Sequence, residues 1–336
     1  MSVAGGESAI TSTAARSMLA DLAAASEHAA TGLRKVAPPS PLVESAGLSR
    51  RFDCRVLLKC EHLLPTGSFK LRGAYARISA LGTDRAKAGV VAASSGNHGL
   101  GVAQAARLRG IEATVHAPAG ASRAKLDAIQ RLGAALVLHE GDCLVAESAA
   151  RAAAAKTGAC YISPYNDIGV IAGQGGAAVE MLEQCGSIDA VIVSVGGGGL
   201  LCGIGAVLAS RSPETELVGA WSDHSTPLLR ALEAGRIISV AEKSTLADAT
   251  AGALEPDTVT LPLAMELAPT TVEVAEARIG AAMRLIAEEE RWIVEGAAAL
   301  ALAALEPLAP RLRGKTVAIV LCGRNILLNR FLEAVA

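Results

Sequence analysis

Aromatic residues are scarce in this chain of 336 residues: three Phe, three Tyr and two Trp, or 2% of the whole. A nucleic-acid surface built on stacking has almost nothing to stack with, and 31 Lys+Arg against 33 Asp+Glu leave no basic excess. The core must come from Ala, Val, Leu and Ile, since hydrophobic residues still make up 51%. Charge is low at 19%, too low for a disordered chain. The seven cysteines, at 54, 60, 143, 160, 185, 202 and 322, are odd in number and contain no C-x-x-C pair. That argues against a disulfide framework and against a zinc ribbon, so reduced thiols are expected. The N-terminus has no charged start followed by an apolar h-region, so a cytoplasmic protein is expected. The one long uncharged stretch, Ala190 to Ser210, holds a run of four glycines. It reads as strand, loop and helix, because such a run would break a helix exposed to lipid.

Common motifs are missing too. No G-x-G-x-x-G follows a strand, and Gly314-Lys315-Thr316 lacks the first P-loop glycine, with Ala309 in its place. No G-x-S-x-G exists, which leaves an α/β-hydrolase unsupported. His139-Glu140 has no second histidine at metalloprotease spacing.

What is present is an alternation. Short apolar runs (Val56–Lys59, Val90–Ala93, Ala113–His116, Leu136–Leu138, Val191–Val195, Leu217–Ala220 and Val317–Leu321) read as strands buried on both faces. Ala-rich segments of helical spacing lie between them: Gly99–Arg109, Ser122–Leu132, Cys143–Lys156, Val170–Gln184 and Ala275–Glu289. This pattern predicts an α/β fold with right-handed crossovers. Residues 1 to about 35 are predicted to form a helix after a mobile start. The weakly periodic stretch Asp248–Thr271 is expected to be a long connection facing substrate.

Four clusters carry chemistry. In Pro65-Thr66-Gly67-Ser68-Phe69-Lys70-Leu71-Arg72-Gly73-Ala74, a turn precedes a helix that Ser68 is expected to cap. Lys70 falls in the first helical turn, where the helix dipole lowers an amine's pKa and favours a nucleophile. An isolated helical lysine is ordinarily a solvated surface charge. Here the small neighbours and the short reach to the turn favour the reactive reading. Ser94-Ser95-Gly96-Asn97-His98-Gly99 follows an apolar run and opens a helix, a position that binds carboxylate or phosphate. An ordinary cap needs one such residue, not five. Gly196-Gly197-Gly198-Gly199-Leu200 follows a predicted strand and makes an amide nest for a phosphate; as a mere flexible loop it would cost entropy without return. Leu321-Cys322-Gly323-Arg324-Asn325 ends the last strand, where α/β sheets place ligand groups. Taken alone, Cys322 would more often be a small core residue.

In this order the clusters closely resemble the threonine/serine dehydratase group of the fold type II (tryptophan synthase β-like) pyridoxal-phosphate enzymes, from about Pro39 to the C-terminus. The resemblance implies two open twisted, mostly parallel sheets with pyridoxal 5'-phosphate between two domains. Residues 1–79 and 166–336 would form the large domain and 80–165 a small inserted one. Lys70 looks like the Schiff-base lysine, beside Phe69, and Asn97 like the partner of the cofactor's 3-hydroxyl. Gly196, Gly197, Gly198, Gly199 and Leu200 look like the phosphate loop. Ser94, Ser95, Asn97 and His98 look like the substrate-carboxylate cradle. Cys322 stands where the family usually has Ser at the pyridine nitrogen, and Glu295 resembles the glutamate facing the ring.

The implied reaction is β-elimination on a β-hydroxy amino acid such as L-threonine or L-serine, giving a 2-oxo acid and ammonia. Three departures qualify this. A Cys322 thiol is a weak donor, so the ring nitrogen should stay unprotonated, which suits elimination better than racemisation. Trp221 replaces the family's cation-binding glutamate, so no metal is expected there. The chain ends soon after the fourth cluster, so no regulatory domain is expected.

Thr245-Leu246-Ala247-Asp248, Leu254-Glu255-Pro256 and Leu321-Cys322-Gly323-Arg324-Asn325 also resemble the dehydratases of hydroxyectoine utilisation, whose substrate would be larger than threonine. The alternatives are an amino-acid racemase with Ser95 as the opposing acid/base, a β-replacement enzyme, and a non-catalytic pyridoxal-phosphate-binding protein. A nucleotide-binding module is disfavoured by the failed motifs. The expected partner is a small amino acid, with no nucleic acid and no membrane. A homodimer or higher homo-oligomer is expected by analogy.

Overall fold

The apolar runs form two stacks of strands in the computed structural model, which describes residues 11–336. One sheet contains β1 (Leu42–Glu44), β2 (Arg55–Lys59), β7 (Ala190–Ser194), β8 (Glu216–Ser222), β9 (Thr270–Val274) and β10 (Thr316–Val320), in the order β1-β2-β10-β7-β8-β9. The other holds β3 (Val90–Ala93), β4 (Ala113–Pro118), β5 (Ala135–His139) and β6 (Cys160–Tyr161), in the order β5-β4-β3-β6. All pairings are parallel except β1 with β2. β7 is buried along its whole length, which is why its sequence runs Ala-Val-Ile-Val without alternation. β5 lies at an edge, and Val137 and Leu138 are exposed there.

The predicted helices occur within two residues of their expected bounds, at Asn97–Arg109, Arg123–Arg131, Cys143–Thr157, Ile168–Gln184 and Glu276–Glu290. Near the N-terminus a helix covers Ser12–Leu33, capped by Thr11. The expected mobile start falls on residues 1–10, outside the described residues.

The structure corrects three expectations. Short β1 and β6, of three and two residues, leave too little periodicity to read, and the five-residue β9 has only two buried positions, so all three join the sheets unforeseen. β9 and a helix at Thr260–Leu267 break up what the sequence suggested was a long connection. Ser68 does not cap the next helix: Phe69 is the N-cap, and the Ser68 hydroxyl is buried without a partner. Among the described residues no helix is long and apolar enough to cross a membrane.

Candidate active site

The strand ends of both sheets open into one cleft of about 520 Å³. β2 leads through a turn at Gly67, whose φ of +74° needs glycine, to a helix beginning at Lys70. That turn is clamped to the far end of β10, because Phe69 N donates to Cys322 O at 3.0 Å and Ser68 bridges Gly323. The Lys70 side chain enters the cleft and its ammonium donates to Pro164 O at 2.8 Å. Loss of water around the amine lowers its pKa to about 8, against smaller opposing contributions from Cys322 and Glu295. The expected depression is therefore present, but burial is its leading cause, not the helix dipole.

The second cluster follows β3. Asn97 is the first residue of its helix, and both ends of its amide are used. Nδ2 donates to Glu295 Oε1 at 2.7 Å, and Oδ1 accepts from Asn325 Nδ2 at 2.6 Å. Asn325 also donates from the same nitrogen to Thr66 O at 2.9 Å and from its backbone to Glu295 Oε2 at 3.1 Å. This chain ties the Lys70 turn, the Asn97 helix, the Glu295 segment and the end of β10 together. His98 donates from Nε2 to Ile162 O at 2.8 Å, which leaves Nδ1 an acceptor, buried and without a partner. Burial and the nearby Lys70 charge lower its pKa to about 3, so the ring is neutral.

The glycine run leaves β7 and enters the helix Gly199–Arg211. It is not slack. A Cβ on Gly197 would lie 2.5 Å from the Tyr165 ring, and one on Gly196 would lie 2.6 Å from Thr250 O. Gly198 has φ +88°. Cys202 N donates to Gly198 O at 2.8 Å; the amides before it carry the unpaired donors of a helix start. Ser194, just ahead, is buried with its hydroxyl unpartnered.

Glu295 and Cys322 complete the floor. Glu295 is 4% exposed. Burial, then the charge of Asp248, raises its pKa to about 7, although the donors Asn97 and Asn325 oppose this. Burial raises the Cys322 thiol well above its usual range, so it stays protonated.

Thus Phe69, Lys70, the Ser94–His98 cluster, Gly196–Leu200, Glu295 and Cys322 all line one cleft. Ser95 lines it too, with no hydrogen-bond partner among the described residues. Sequence reasoning quoted Asn325 inside a motif but gave it no role; its place two residues beyond Gly323 was the available signal. It missed Tyr165, Lys125 and Glu147, whose position depends on how the sheets face each other. Trp221 is fully buried in β8. Nearby, Asp223, His224 and Glu276 bring ligand atoms within 4.8 Å of one another. Glu276, however, accepts from Ser222, Thr245 and Leu246 N, and His224 bonds Ser244 O. These bonds account for the cluster as a loop anchor.

Residues 33–323 match the family described as pyridoxal-phosphate dependent enzyme. The chain belongs to that family. An L-threonine ammonia-lyase of Thermotoga maritima is 38% identical over 88% of this chain and 74% of its own. An L-threo-3-hydroxyaspartate ammonia-lyase of a Pseudomonas species is 35% identical over 90% of this chain and 95% of its own. Among solved structures, the processed threonine deaminase isoform 2 of Solanum lycopersicum superposes with a TM-score of 0.88 at 30% identity, covering 99% of this chain and 94% of that one. The fold is that of the fold type II enzymes, and the cofactor is pyridoxal 5'-phosphate.

The residues present fit this group. The Lys70 amine and a run of four glycines, packed so closely against Tyr165, Thr250 and Leu228 that a Cβ would strike them, line the same cleft, and unpartnered polar atoms of Ser194 and His98 belong to its lining residues.

Proposed function

We propose that the protein catalyses β-elimination from a β-hydroxy amino acid, such as L-threonine or L-serine, releasing a 2-oxo acid and ammonia. The observation that carries this reading is the enclosed Lys70 amine, with a pKa of about 8, between an anion cradle at Ser94–His98 and another at Gly196–Gly199. Lys70 would bond the cofactor's aldehyde carbon, Gly196–Gly199 would hold its phosphate, Asn97 its 3-hydroxyl side and Cys322 its pyridine nitrogen. When bound, the cofactor supplies the electron sink that acidifies the substrate's α-proton. The rest falls to the chain. Ser94, Ser95 and the amides at the Asn97 helix start receive the substrate carboxylate. A Lys70 amine with a pKa near neutrality takes the α-proton as general base. His98, neutral and held by Ile162 O, adds no competing charge. Asn97 is held in one orientation by Glu295 and Asn325.

The domain division enters the same reading: 1–79 and 166–336 hold the cofactor and 80–165 carries the carboxylate cradle. The protein acts as a homodimer or higher homo-oligomer in the cytoplasm, which sedimentation and fractionation test. A racemase is the second reading, favoured by one observation, the unpartnered Ser95 in the cleft, and by similarity to a serine racemase of Arabidopsis thaliana at 33% identity. The deciding experiment is a visible spectrum of purified protein before and after borohydride, followed by 2-oxo acid and chiral analysis with L-threonine and L-serine. Lys70→Ala should lose the reducible band and all turnover. Normal activity in that variant refutes the assignment, and D-amino acid without 2-oxo acid selects the racemase.

A further inference from the structure

A backbone carbonyl oxygen can only accept a hydrogen bond, and one such oxygen fixes the sense of two side-chain amides in this site. Thr66 O receives Asn325 Nδ2 at 2.9 Å, which identifies the nitrogen end of the Asn325 amide. The same nitrogen lies 2.6 Å from Asn97 Oδ1 and spends its second hydrogen there. The Asn97 atom that receives it must be the oxygen. Asn97 Nδ2 is therefore turned the other way, and it donates to Glu295 Oε1 at 2.7 Å. Glu295 is held from its other oxygen, which accepts from Asn325 N at 3.1 Å. Reversing the Asn325 amide would set its oxygen against Thr66 O, acceptor against acceptor, at the cost of an unsatisfied buried group.

Counting hydrogens then leaves one. Asn325 Nδ2 has used both of its own. Asn97 Nδ2 has used one, and its second has no partner among the described residues. Asn97 lines the cleft, so the group it offers there is an N–H. Turned over, it would offer a carbonyl oxygen instead. Asn325 also stands on the turn that leads to Lys70. Thr66 is four residues before that lysine, and the neighbouring Arg324 N donates to Gly67 O at 2.9 Å. A Cβ on Gly67 would lie 2.7 Å from Asn325 Oδ1, so the side chain is packed against this turn as well as bonded to it. The aldehyde carbon and the 3-oxygen of pyridoxal phosphate are neighbouring substituents of one ring. The groups that hold them must be spaced and oriented together, and Asn325 touches the supports of both.

We propose that Asn325 is a positioning residue: it locks Asn97 with an N–H, not a carbonyl, toward the cofactor's 3-oxygen, and it fixes the spacing between Asn97 and the Lys70 turn. This rests on the placement of the cofactor's 3-hydroxyl side at Asn97 given above, not on the identity of the substrate. A donor at that point favours the 3-oxygen as its anion, through a charge-assisted hydrogen bond, and the bound cofactor then absorbs at longer wavelength. An acceptor favours the protonated oxygen and the shorter-wavelength band.

The test is a double-mutant cycle on the holoenzyme, read first by the visible spectrum and then by kcat and KM for L-threonine. Asn325→Ala frees Asn97 to turn, so the cofactor band should move to shorter wavelength, with kcat down about tenfold and KM within about threefold. Asn325→Asp keeps the size of the side chain beside Gly67 but, ionised, presents acceptors only. It should shift the band in the same direction, which keeps the test decisive if the alanine variant folds poorly. In an Asn97→Ala background the Asn325→Ala change should leave the band in place and alter kcat by less than about twofold, because its target is gone. A residue that merely braced the Thr66 turn would show its full loss in both backgrounds. That result, or a wild-type spectrum in both Asn325 variants, overturns the proposal. The expected band shifts in an enzyme that releases no 2-oxo acid from L-threonine or L-serine uphold the role of Asn325 and refute the elimination reading.

Discussion

At the scale of single residues, two buried ionisable groups make the site measurable. Glu295 has its pKa raised to about 7 by burial and by Asp248. A group whose folded pKa is raised contributes stability that is fully present below its unfolded pKa and lost as pH rises through the folded value. Keeping Glu295 ionised in the fold thus costs up to about 3 kcal/mol above neutrality. Glu295→Gln mimics the protonated form but disturbs one of two accepted hydrogen bonds, at about 1 kcal/mol. The difference in unfolding free energy, variant minus wild type, should therefore rise by about 3 kcal/mol between pH 4.5 and pH 8.5 in the cofactor-free protein. Denaturant titrations at the two pH values measure it, and a flat difference contradicts the assigned burial. Cys322 is the second group. Its thiol stays protonated and donates weakly. Cys322→Ser places a stronger donor there, so the bound cofactor's visible band should shift and kcat should change. An identical spectrum and rate would sink this account of the ring nitrogen.

At the scale of elements, the strand-to-helix loop after β7 shows why four glycines stand in a row. The run is squeezed between Tyr165 and Thr250, and Gly198 has φ +88°. Tyr165 is fixed in turn, since its hydroxyl accepts from Glu255 N at 2.7 Å. Gly197→Ala would drive a Cβ to 2.5 Å from the Tyr165 ring. Overpacking of this kind costs about 1–3 kcal/mol, and cofactor affinity should fall at least about tenfold. Fluorescence titration with pyridoxal phosphate checks this; an unchanged Kd would mean the loop is freer than its packing indicates. The sequence showed that glycines were needed here and why an anion suits them. It did not show that an aromatic ring from another segment closes the loop's far side.

Across the whole molecule, a buried ionic network holds the reactive turn. Arg72 pairs with Glu61 at 2.6 Å and with Glu180 at 2.5 Å, and Lys59 pairs with Glu180 at 2.8 Å, all at 2% side-chain exposure or less. The four residues join β2, the turn after it, the Lys70 helix and the helix Ile168–Gln184. The Arg72 and Lys59 charges hold the Glu180 carboxyl down at about 2. Its contribution is present above a carboxylate's ordinary pKa and lost as pH falls toward 2. Glu180→Ala leaves both cations undercompensated and should destabilise the protein by about 3–5 kcal/mol at neutral pH. Urea unfolding measures this, and a loss under 1 kcal/mol refutes the network's role. The sequence by itself determined the α/β alternation, the strand that opens onto each cluster and the residue types at Lys70, Asn97, Gly196–Gly199 and Cys322. Those are local matters: apolar period, turn chemistry and the backbone freedom of glycine. Only the tertiary structure decided that Asn325 joins Asn97 to Glu295, that burial more than the helix dipole depresses Lys70, and that Glu147 and Asp248 line one cleft. Each of those depends on the distance between segments far apart in sequence, and dehydration and charge coupling act through that distance.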